Sequence, residues 1–229
     1  MTRLFSTAFA SLLLVACKGS EDDKPTAPPP APKMRPVDAF PTALSPGCRG
    51  GVGKLYDECS DQREIFSAAL KDANSKGKTL LVVYGAEWCI WCHVFNKYVR
   101  GQTRSFEYQF ELEGKVQTFE FDETSSPALD EAAKALNDYV ADNFVLVEID
   151  SQYAPHGSDV LSDAGYDPET IESIPFIMAV NSHGKYTAHM PPYSSVPGLE
   201  IREDAGFDYR GFERQILLRE LQKLRDSAK

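Results

Sequence analysis

Two cysteines separated by two residues, Cys89 and Cys92, give the strongest chemical signal in the sequence. They follow the apolar run TLLVVYG, and the residues from Trp91 onward favour a helix, so the pair is predicted at a strand-to-helix junction. Backbone N–H groups at a helix N-terminus stabilise a thiolate on the first cysteine. The second cysteine lies one helical turn on, within reach of a mixed disulfide. The spacing therefore predicts thiol-disulfide exchange, with Cys89 as the nucleophile and Cys92 as the resolving thiol.

The same spacing also occurs in metal and haem proteins. A four-thiolate zinc site normally needs a second CxxC pair, and the sequence has none, so no metal site is predicted. His93 completes a CxxCH pattern, which is typical of c-type haem attachment. Because such attachment usually needs a second axial ligand and a cytochrome-like pocket, haem electron transfer is kept as the alternative and no cofactor is predicted. Otherwise His93 favours the Cys89 thiolate when protonated, or is a surface histidine.

The N-terminus reads MTRLFSTAFASLLLVAC, one basic residue followed by 13 apolar or small residues before Cys17. This run is shorter than the roughly 20 residues that span a membrane, so residues 1–16 are predicted to be a signal peptide. Its last residues resemble the lipobox of bacterial lipoproteins. That resemblance implies lipidation of Cys17 and a tether in the cell envelope, with Lys18 favouring the outer membrane and a periplasmic orientation. An ordinary signal peptide with an incidental cysteine is the alternative.

Proline dominates the segment that follows, because residues 18–47 hold eight of the 15 prolines. Such composition cannot build a core, so 17–47 is predicted to be a lipidated cysteine plus linker, with 37–44 able to pack as a strand-like arm. The folded domain is predicted over 48–229. Cys48 and Cys59 are predicted to form a structural disulfide, which an exported protein permits, while a second redox pair exchanging with Cys89 is the alternative.

Periodicity and turn residues predict the order α, β, α, hairpin, α, β, short α, β, β, α. Helices are expected near 61–77, from 91 onward, over 126–140, near 159–164 and near 209–226. Strands are expected near 79–85, 144–150, 175–181 and 185–190, with a hairpin near 106–122. The fold class is therefore mixed α/β.

Residues 79–98, TLLVVYGAEWCIWCHVFNKY, resemble the strand, WCxxC motif and active-site helix of the thioredoxin superfamily. Residues 173–176 resemble the loop whose proline is cis in that family. The resemblance covers about 59–229 and is closest to exported reductases such as the C-terminal domain of thiol:disulfide interchange proteins. It implies a central mixed sheet flanked by helices, with Trp88 shielding the redox pair and Ile174 and Pro175 lining the substrate groove.

The chain departs from this family in its buried acid and in its length. Val83 stands where many thioredoxins carry a buried acid, so Glu87 or Glu148 would have to substitute, unless both are solvated surface carboxylates. The stretch from Cys92 to Pro175 is about twice the usual length, with the excess at about 101–143. Ten acidic and three basic residues lie between 104 and 143. This acidic hairpin-helix insertion is either a docking surface for a basic partner or a solvated decoration.

The whole chain has a net charge of −10, which disfavours nucleic acid as a partner. The sequence thus predicts a membrane-tethered thiol:disulfide oxidoreductase acting on protein thiols and disulfides of the cell envelope, with an unidentified redox partner. A non-catalytic binding or chaperone module on the same fold is the remaining alternative.

Overall fold

The computed structural model describes residues 32–103, 106–121, 126–203 and 209–229. The predicted signal peptide, Cys17 and the first half of the predicted linker lie outside these residues. None of the helices within the described ranges is long and apolar enough to cross a membrane.

The described chain forms nine strands and five α-helices. The strands are β1 (Ala39–Phe40), β2 (Thr79–Gly85), β3 (Phe106–Leu112), β4 (Lys115–Phe121), β5 (Phe144–Asp150), β6 (Phe176–Val180), β7 (Tyr186–His189), β8 (Glu200–Glu203) and β9 (Tyr209–Phe212). The helices are α1 (Gln62–Lys76), α2 (Ile90–Val99), α3 (Pro127–Asn143), α4 (Gly157–Ala164) and α5 (Arg214–Ser227).

Five strands form a central sheet in the order β1-β5-β2-β6-β7. Strands β1, β5 and β2 are parallel to one another. Strand β6 is antiparallel to β2, and β7 is antiparallel to β6. Every residue of β2 and β5 is buried, as expected for apolar strands covered on both faces. Helices α2, α3 and α5 lie over one face of this sheet and α1 and α4 over the other.

This topology, with a helix after β2 and a cis proline immediately before β6, is a thioredoxin fold. The predicted mixed sheet flanked by helices is confirmed. The hairpin is also present, with its turn between Leu112 and Lys115, and it lies outside the central sheet.

The fold begins before the predicted boundary at Cys48. Ala39 and Phe40 pair with Leu146 and Val147 of β5, and Val37 is buried against the core. The strand-like arm considered for 37–44 is therefore part of the domain, because it supplies hydrogen-bond partners to a strand edge that would otherwise be open.

Helix α3 belongs to the core and not to the predicted insertion at 101–143. The Ser126 hydroxyl accepts a hydrogen bond from the backbone N–H of Leu129 at the start of this helix. Its apolar stripe packs on β5, α2 and α5, with Leu136 and Val140 fully buried. The expectation of a helix decorating the edge of the fold is wrong because that stripe needs a partner surface.

A second correction concerns the C-terminal helix, which was predicted from Tyr209. Residues 209–212 form β9 instead, paired with β8, and α5 begins at Arg214. The Glu213 carboxylate accepts a hydrogen bond from the backbone N–H of Ile216 and caps the helix there. Phe212, which falls within that predicted helix, lies in β9 and is fully buried.

Candidate active site

Cys89 and Cys92 lie at the N-terminus of α2 and form a disulfide. Cys89 precedes the first helical residue in an extended conformation, and its Sγ accepts a hydrogen bond from the backbone N–H of Cys92 at 3.2 Å. The Cys89 side chain is 4% exposed, while Cys92 is completely buried. The helix end can therefore stabilise negative charge on Cys89, and within the pair only Cys89 has a surface that a substrate could reach.

Ile174 packs against the buried cluster that Tyr56 forms with the two cysteines, and its peptide bond to Pro175 is cis. The structure thus brings Ile174 and Pro175 to the redox pair, as the resemblance implies. Trp88 is 43% exposed and stands at the surface beside the pair. Trp91 packs against the cluster, and its ring centroid lies 5.1 Å from that of Phe212.

A groove of about 260 Å³ runs beside the cis proline. Pro175, Phe176 and Tyr166 line one part of it, and His189 and Met190 at the end of β7 line another. Because β6 and β7 run antiparallel, the end of β7 meets the start of β6 at the same edge of the sheet as the cysteines. Polar side chains from the loop before Pro175 also line it, so the groove offers a substrate chain both apolar and polar contacts.

Glu87 is fully buried and holds a loop against the site. Its Oε2 accepts hydrogen bonds from the backbone N–H groups of Leu55 and Tyr56 at 2.9 and 3.0 Å. Burial raises the pKa of Glu87 to about 7, although these hydrogen bonds oppose the shift. Glu87 is therefore not the solvated carboxylate that the sequence left open.

Glu148 is also buried, and it lies directly opposite Val83 in the β2–β5 register. The amide of Asn96 on α2 donates a hydrogen bond to its Oε1 at 3.2 Å. Burial raises the pKa of Glu148 to about 7, against the effects of the Asn96 hydrogen bond and the Arg100 charge. Glu148 on β5 thus places a carboxyl group beside position 83, where this chain has a valine.

Sequence reasoning missed Tyr56, which lies 1% exposed in the cluster with Cys89 and Cys92. Its position depends on a contact between a loop and a strand junction far along the chain, and no periodicity marks it. An aromatic residue between two cysteines that pair with each other was the only available signal.

The loop that carries Tyr56 is closed by a disulfide between Cys48 and Cys59. Inside it, the Asp57 carboxylate accepts hydrogen bonds from the backbone N–H groups of Cys59 and Ser60 and from the Ser45 hydroxyl. Burial tends to raise the pKa of Asp57, yet these hydrogen bonds lower it below its usual value. We call residues 48–59 the tyrosine loop.

His93 is buried under the hairpin, so it is not a surface residue. Its Nε2 donates a hydrogen bond to the backbone oxygen of Glu87 at 2.8 Å, and its ring faces Phe110 of β3. Burial lowers the pKa of His93 to about 4, so the imidazole is neutral near pH 7 and does not supply a positive charge to Cys89. Because His93 Nε2 is already bonded to a backbone oxygen, its position does not favour the haem alternative. No group of three or more potential metal-ligating side chains occurs in the described ranges.

No protein-family model and no curated protein matches the sequence. Among solved structures, the chain is similar to a disulphide isomerase from Xylella fastidiosa Temecula1, with 22% identity, a TM-score of 0.39, and coverage of 58% of this chain and 76% of that one. It is also similar to the oxidised DsbD C-terminal domain of Neisseria meningitidis, with 14% identity, a TM-score of 0.33, and coverage of 71% and 97% respectively. At such scores the strand order and the cis proline, and not these likenesses, define the fold.

Proposed function

We propose that this protein is a thiol:disulfide oxidoreductase that exchanges disulfides with exported proteins while tethered to a membrane through Cys17. The observation that carries the redox assignment is a disulfide at the N-terminus of α2, packed against Ile174 and the cis proline loop. A protein that only binds other chains would need neither Cys89 nor Cys92 at this position.

Reduction of a substrate proceeds in two displacements. The Cys89 thiolate attacks one sulfur of a substrate disulfide, so a mixed disulfide forms and the other substrate sulfur leaves as a thiolate. The Cys92 thiolate then attacks Cys89 Sγ, which forms the Cys89–Cys92 disulfide and releases the second substrate thiolate. The substrate gains two electrons and the cysteine pair loses two. The reverse sequence oxidises a substrate dithiol.

The different burial of the two sulfurs supports this division of steps between them. Because Cys92 is completely buried, a protein substrate can form its mixed disulfide only with Cys89. The groove beside Pro175 and the exposed side chain of Trp88, which precedes Cys89 in the chain, would suit an extended polypeptide. The proposed substrates are therefore disulfides and dithiols in protein chains of the cell envelope, and a separate redox partner would restore the pair.

The test uses the full chain with Cys17 replaced by serine, so that the thiol predicted to carry lipid adds no background. We expect this protein to accelerate the reduction of insulin disulfides by dithiothreitol and Cys89→Ser to abolish the acceleration. Reduced Cys92→Ser, mixed with insulin in the absence of dithiothreitol, should form a stable mixed disulfide that mass spectrometry detects. If both variants retained activity, the assignment would be wrong. It would also be wrong if the unsubstituted protein exchanged with no disulfide or dithiol. Covalent haem in protein exported from a host with haem-attachment machinery would favour the alternative.

A further inference from the structure

Two exposed apolar side chains near the redox pair have no part in the exchange reaction described above. Within the described ranges the exposed large hydrophobic residues are Trp88, Leu112, Val116 and Tyr153. Trp88 precedes Cys89 and belongs to the site itself. Leu112 at the end of β3 and Tyr153 in the loop after β5 are each 47% exposed. Their positions relative to Cys89 determine what they could bind.

Strand β3 runs along α2 towards the redox pair. Glu107, near the start of β3, interacts electrostatically with Lys97 in the last turn of α2. Farther along β3, the ring of Phe110 lies 6.4 Å from that of His93 in the first turn of α2. The strand therefore advances in the direction opposite to the helix, towards the helix N-terminus.

Leu112 continues this strand to the level of the redox pair. It lies on the same face of β3 as Phe110 and about 7 Å farther along, because residues on one face of a strand are two rises apart. Cys89 precedes His93 by about 6 Å at the rise of an α-helix. An exposed leucine therefore lies beside the surface where a protein substrate must contact Cys89.

Arg49 joins the hairpin to the tyrosine loop and to the loop after β5. Its guanidinium donates a hydrogen bond to Glu58 at 2.9 Å and lies 4.0 Å from the Glu111 carboxylate of β3. It also stacks 3.2 Å from the centroid of the Tyr153 ring. The Glu111 carboxylate accepts a hydrogen bond from the backbone N–H of Gly114, which closes the turn of the hairpin. One side chain thus holds the end of the hairpin and Tyr153 at the same surface.

Tyr153 lies on the opposite side of the redox pair from the groove beside Pro175. The strand order is β5-β2-β6, and Cys89 follows β2, Tyr153 follows β5 and Pro175 precedes β6. The backbone N–H of Tyr153 donates a hydrogen bond to the Asp150 carboxylate at 2.6 Å, which keeps this loop at the end of β5. A polypeptide that reacts with Cys89 therefore meets the groove on one side and Tyr153 and Leu112 on the other.

The charge of the hairpin limits what could bind beside Leu112. Residues 106–121 contain four glutamates and one lysine, and Glu107 and Glu113 are exposed. An acidic segment would be repelled from this surface, whereas a basic one would be attracted to it.

We propose that Leu112 and Tyr153 form a docking surface for an extended segment of a protein substrate that carries an apolar side chain and basic residues beside its cysteine. This rests on the proposed function, because the segment is held there while its sulfur reacts with Cys89. Apolar contact with Leu112 and Tyr153 supplies affinity, and the hairpin carboxylates select against acidic segments. The surface takes no part in the two displacements.

The experiment uses peptides whose single cysteine is joined in a disulfide to 5-thio-2-nitrobenzoate. The full chain carrying Cys17→Ser is reduced until only Cys89 and Cys92 are counted as thiols. The Cys89 thiolate attacks the peptide sulfur, which breaks this disulfide and releases coloured nitrothiobenzoate. Cys92 then forms the Cys89–Cys92 disulfide and releases the peptide thiolate. One peptide carries leucine and arginine beside its cysteine, a second carries serine and arginine, and a third carries leucine and glutamate.

The dependence of the release rate on peptide concentration separates binding from attack. We expect the leucine–arginine peptide to bind at least about fivefold more tightly than either of the others. Leu112→Ser should weaken its binding about fivefold and leave the serine–arginine peptide unchanged, because the lost contact is to the leucine. Tyr153→Ser should act in the same direction. The rate at saturation should not change in either variant.

The matched control is Val116→Ser on β4 of the same hairpin. Val116 is 41% exposed, as a comparable apolar side chain should be. It lies on the other face of the hairpin, because it pairs with Glu111 whereas Leu112 pairs with Lys115. Val116→Ser should leave the binding of all three peptides unchanged.

Equal effects of Leu112→Ser and Val116→Ser would overturn the docking surface, as would an equal effect of Leu112→Ser on the leucine and serine peptides. A dimer of the unsubstituted protein that Leu112→Ser dissociates in sedimentation velocity would also overturn it, since the surface would then join two copies of the chain. Absence of nitrothiobenzoate release from every peptide would instead contradict the proposed function itself.

Discussion

At the scale of single residues, the burial of Glu148 makes the stability of the fold depend on pH. A carboxyl group whose pKa is about 7 in the folded protein and 4.5 when unfolded binds more protons in the folded state between these values. Its contribution to stability is complete below pH 4.5 and is lost as the pH rises through 7. The buried carboxyl group of Glu148 therefore lowers the stability of the fold at neutral and higher pH, where it is ionised.

We predict that Glu148→Gln becomes progressively more stable than the unsubstituted protein as the pH rises from 4.5 to 8. The shift of the pKa from 4.5 to about 7 corresponds to a change of about 3 kcal/mol in the difference between their free energies of unfolding. Chemical denaturation at several pH values measures it. A difference that stays constant with pH would show that Glu148 titrates normally in the folded protein.

Tyr56 and Glu148 also show how far residue-level inference from the sequence extends. Cys89 and Cys92 are recognisable because their chemistry depends on local spacing, and Ile174 and Pro175 because they form a short motif. Glu148 lies in a strand that is apolar up to that point, and the sequence left open whether its carboxylate is buried or solvated. Tyr56 reaches the site through tertiary contacts alone, so no local pattern could assign it.

At the scale of elements, α3 and the β3–β4 hairpin play different structural parts despite being adjacent in the sequence. Leu136 on α3 is fully buried among α2, α5 and the sheet, whereas Val116 on β4 is 41% exposed. The structure therefore limits the insertion to residues that precede α3, and the core continues from Pro127 onward.

We predict that Leu136→Ala lowers the free energy of unfolding by about 2–5 kcal/mol because it leaves a cavity between packed elements. Val116→Ala, the matched truncation on the hairpin, should change it by less than about 0.5 kcal/mol. Urea denaturation followed by circular dichroism compares the two. Equal effects would mean that the hairpin and α3 contribute alike to the core.

The elements that the sequence missed, or left open as in the arm at 37–44, are the short ones. Strand β1 has two residues and β8 and β9 have four each, too few for an alternating pattern to be recognised. Their pairing depends on which strand edges the rest of the fold leaves open. The seven-residue apolar strands β2 and β5 carry their own signal, and both were predicted with their observed bounds.

At the scale of the whole molecule, the proposed tether determines which substrates the domain can meet. The Pro-rich segment between Cys17 and the first described residues would separate the folded domain from the lipid. Its length sets a limited radius around the anchor, so the domain would act on proteins near one membrane surface.

We predict that the unsubstituted chain, expressed in a bacterium that processes lipoproteins, partitions with the membrane fraction and begins at a lipid-bearing Cys17. Cys17→Ala should remove the lipid. Membrane fractionation and mass spectrometry of the mature N-terminus measure both. A wild-type protein that is wholly released from membranes and begins at another residue would contradict the tether.

The tyrosine loop depends for its closure on disulfide formation, the same chemistry that we propose for the protein. Closing this loop through Cys48 and Cys59 restricts the unfolded chain, an effect of about 3 kcal/mol in the chain-entropy model. A chain retained in a reducing cytosol would keep Cys89 and Cys92, but only hydrogen bonds would hold Tyr56 beside them. Under the proposed export, the loop would close only after the chain reaches an oxidising compartment. We therefore expect protein made in an oxidising compartment and protein made in a reducing one to differ in exchange rate while sharing one fold.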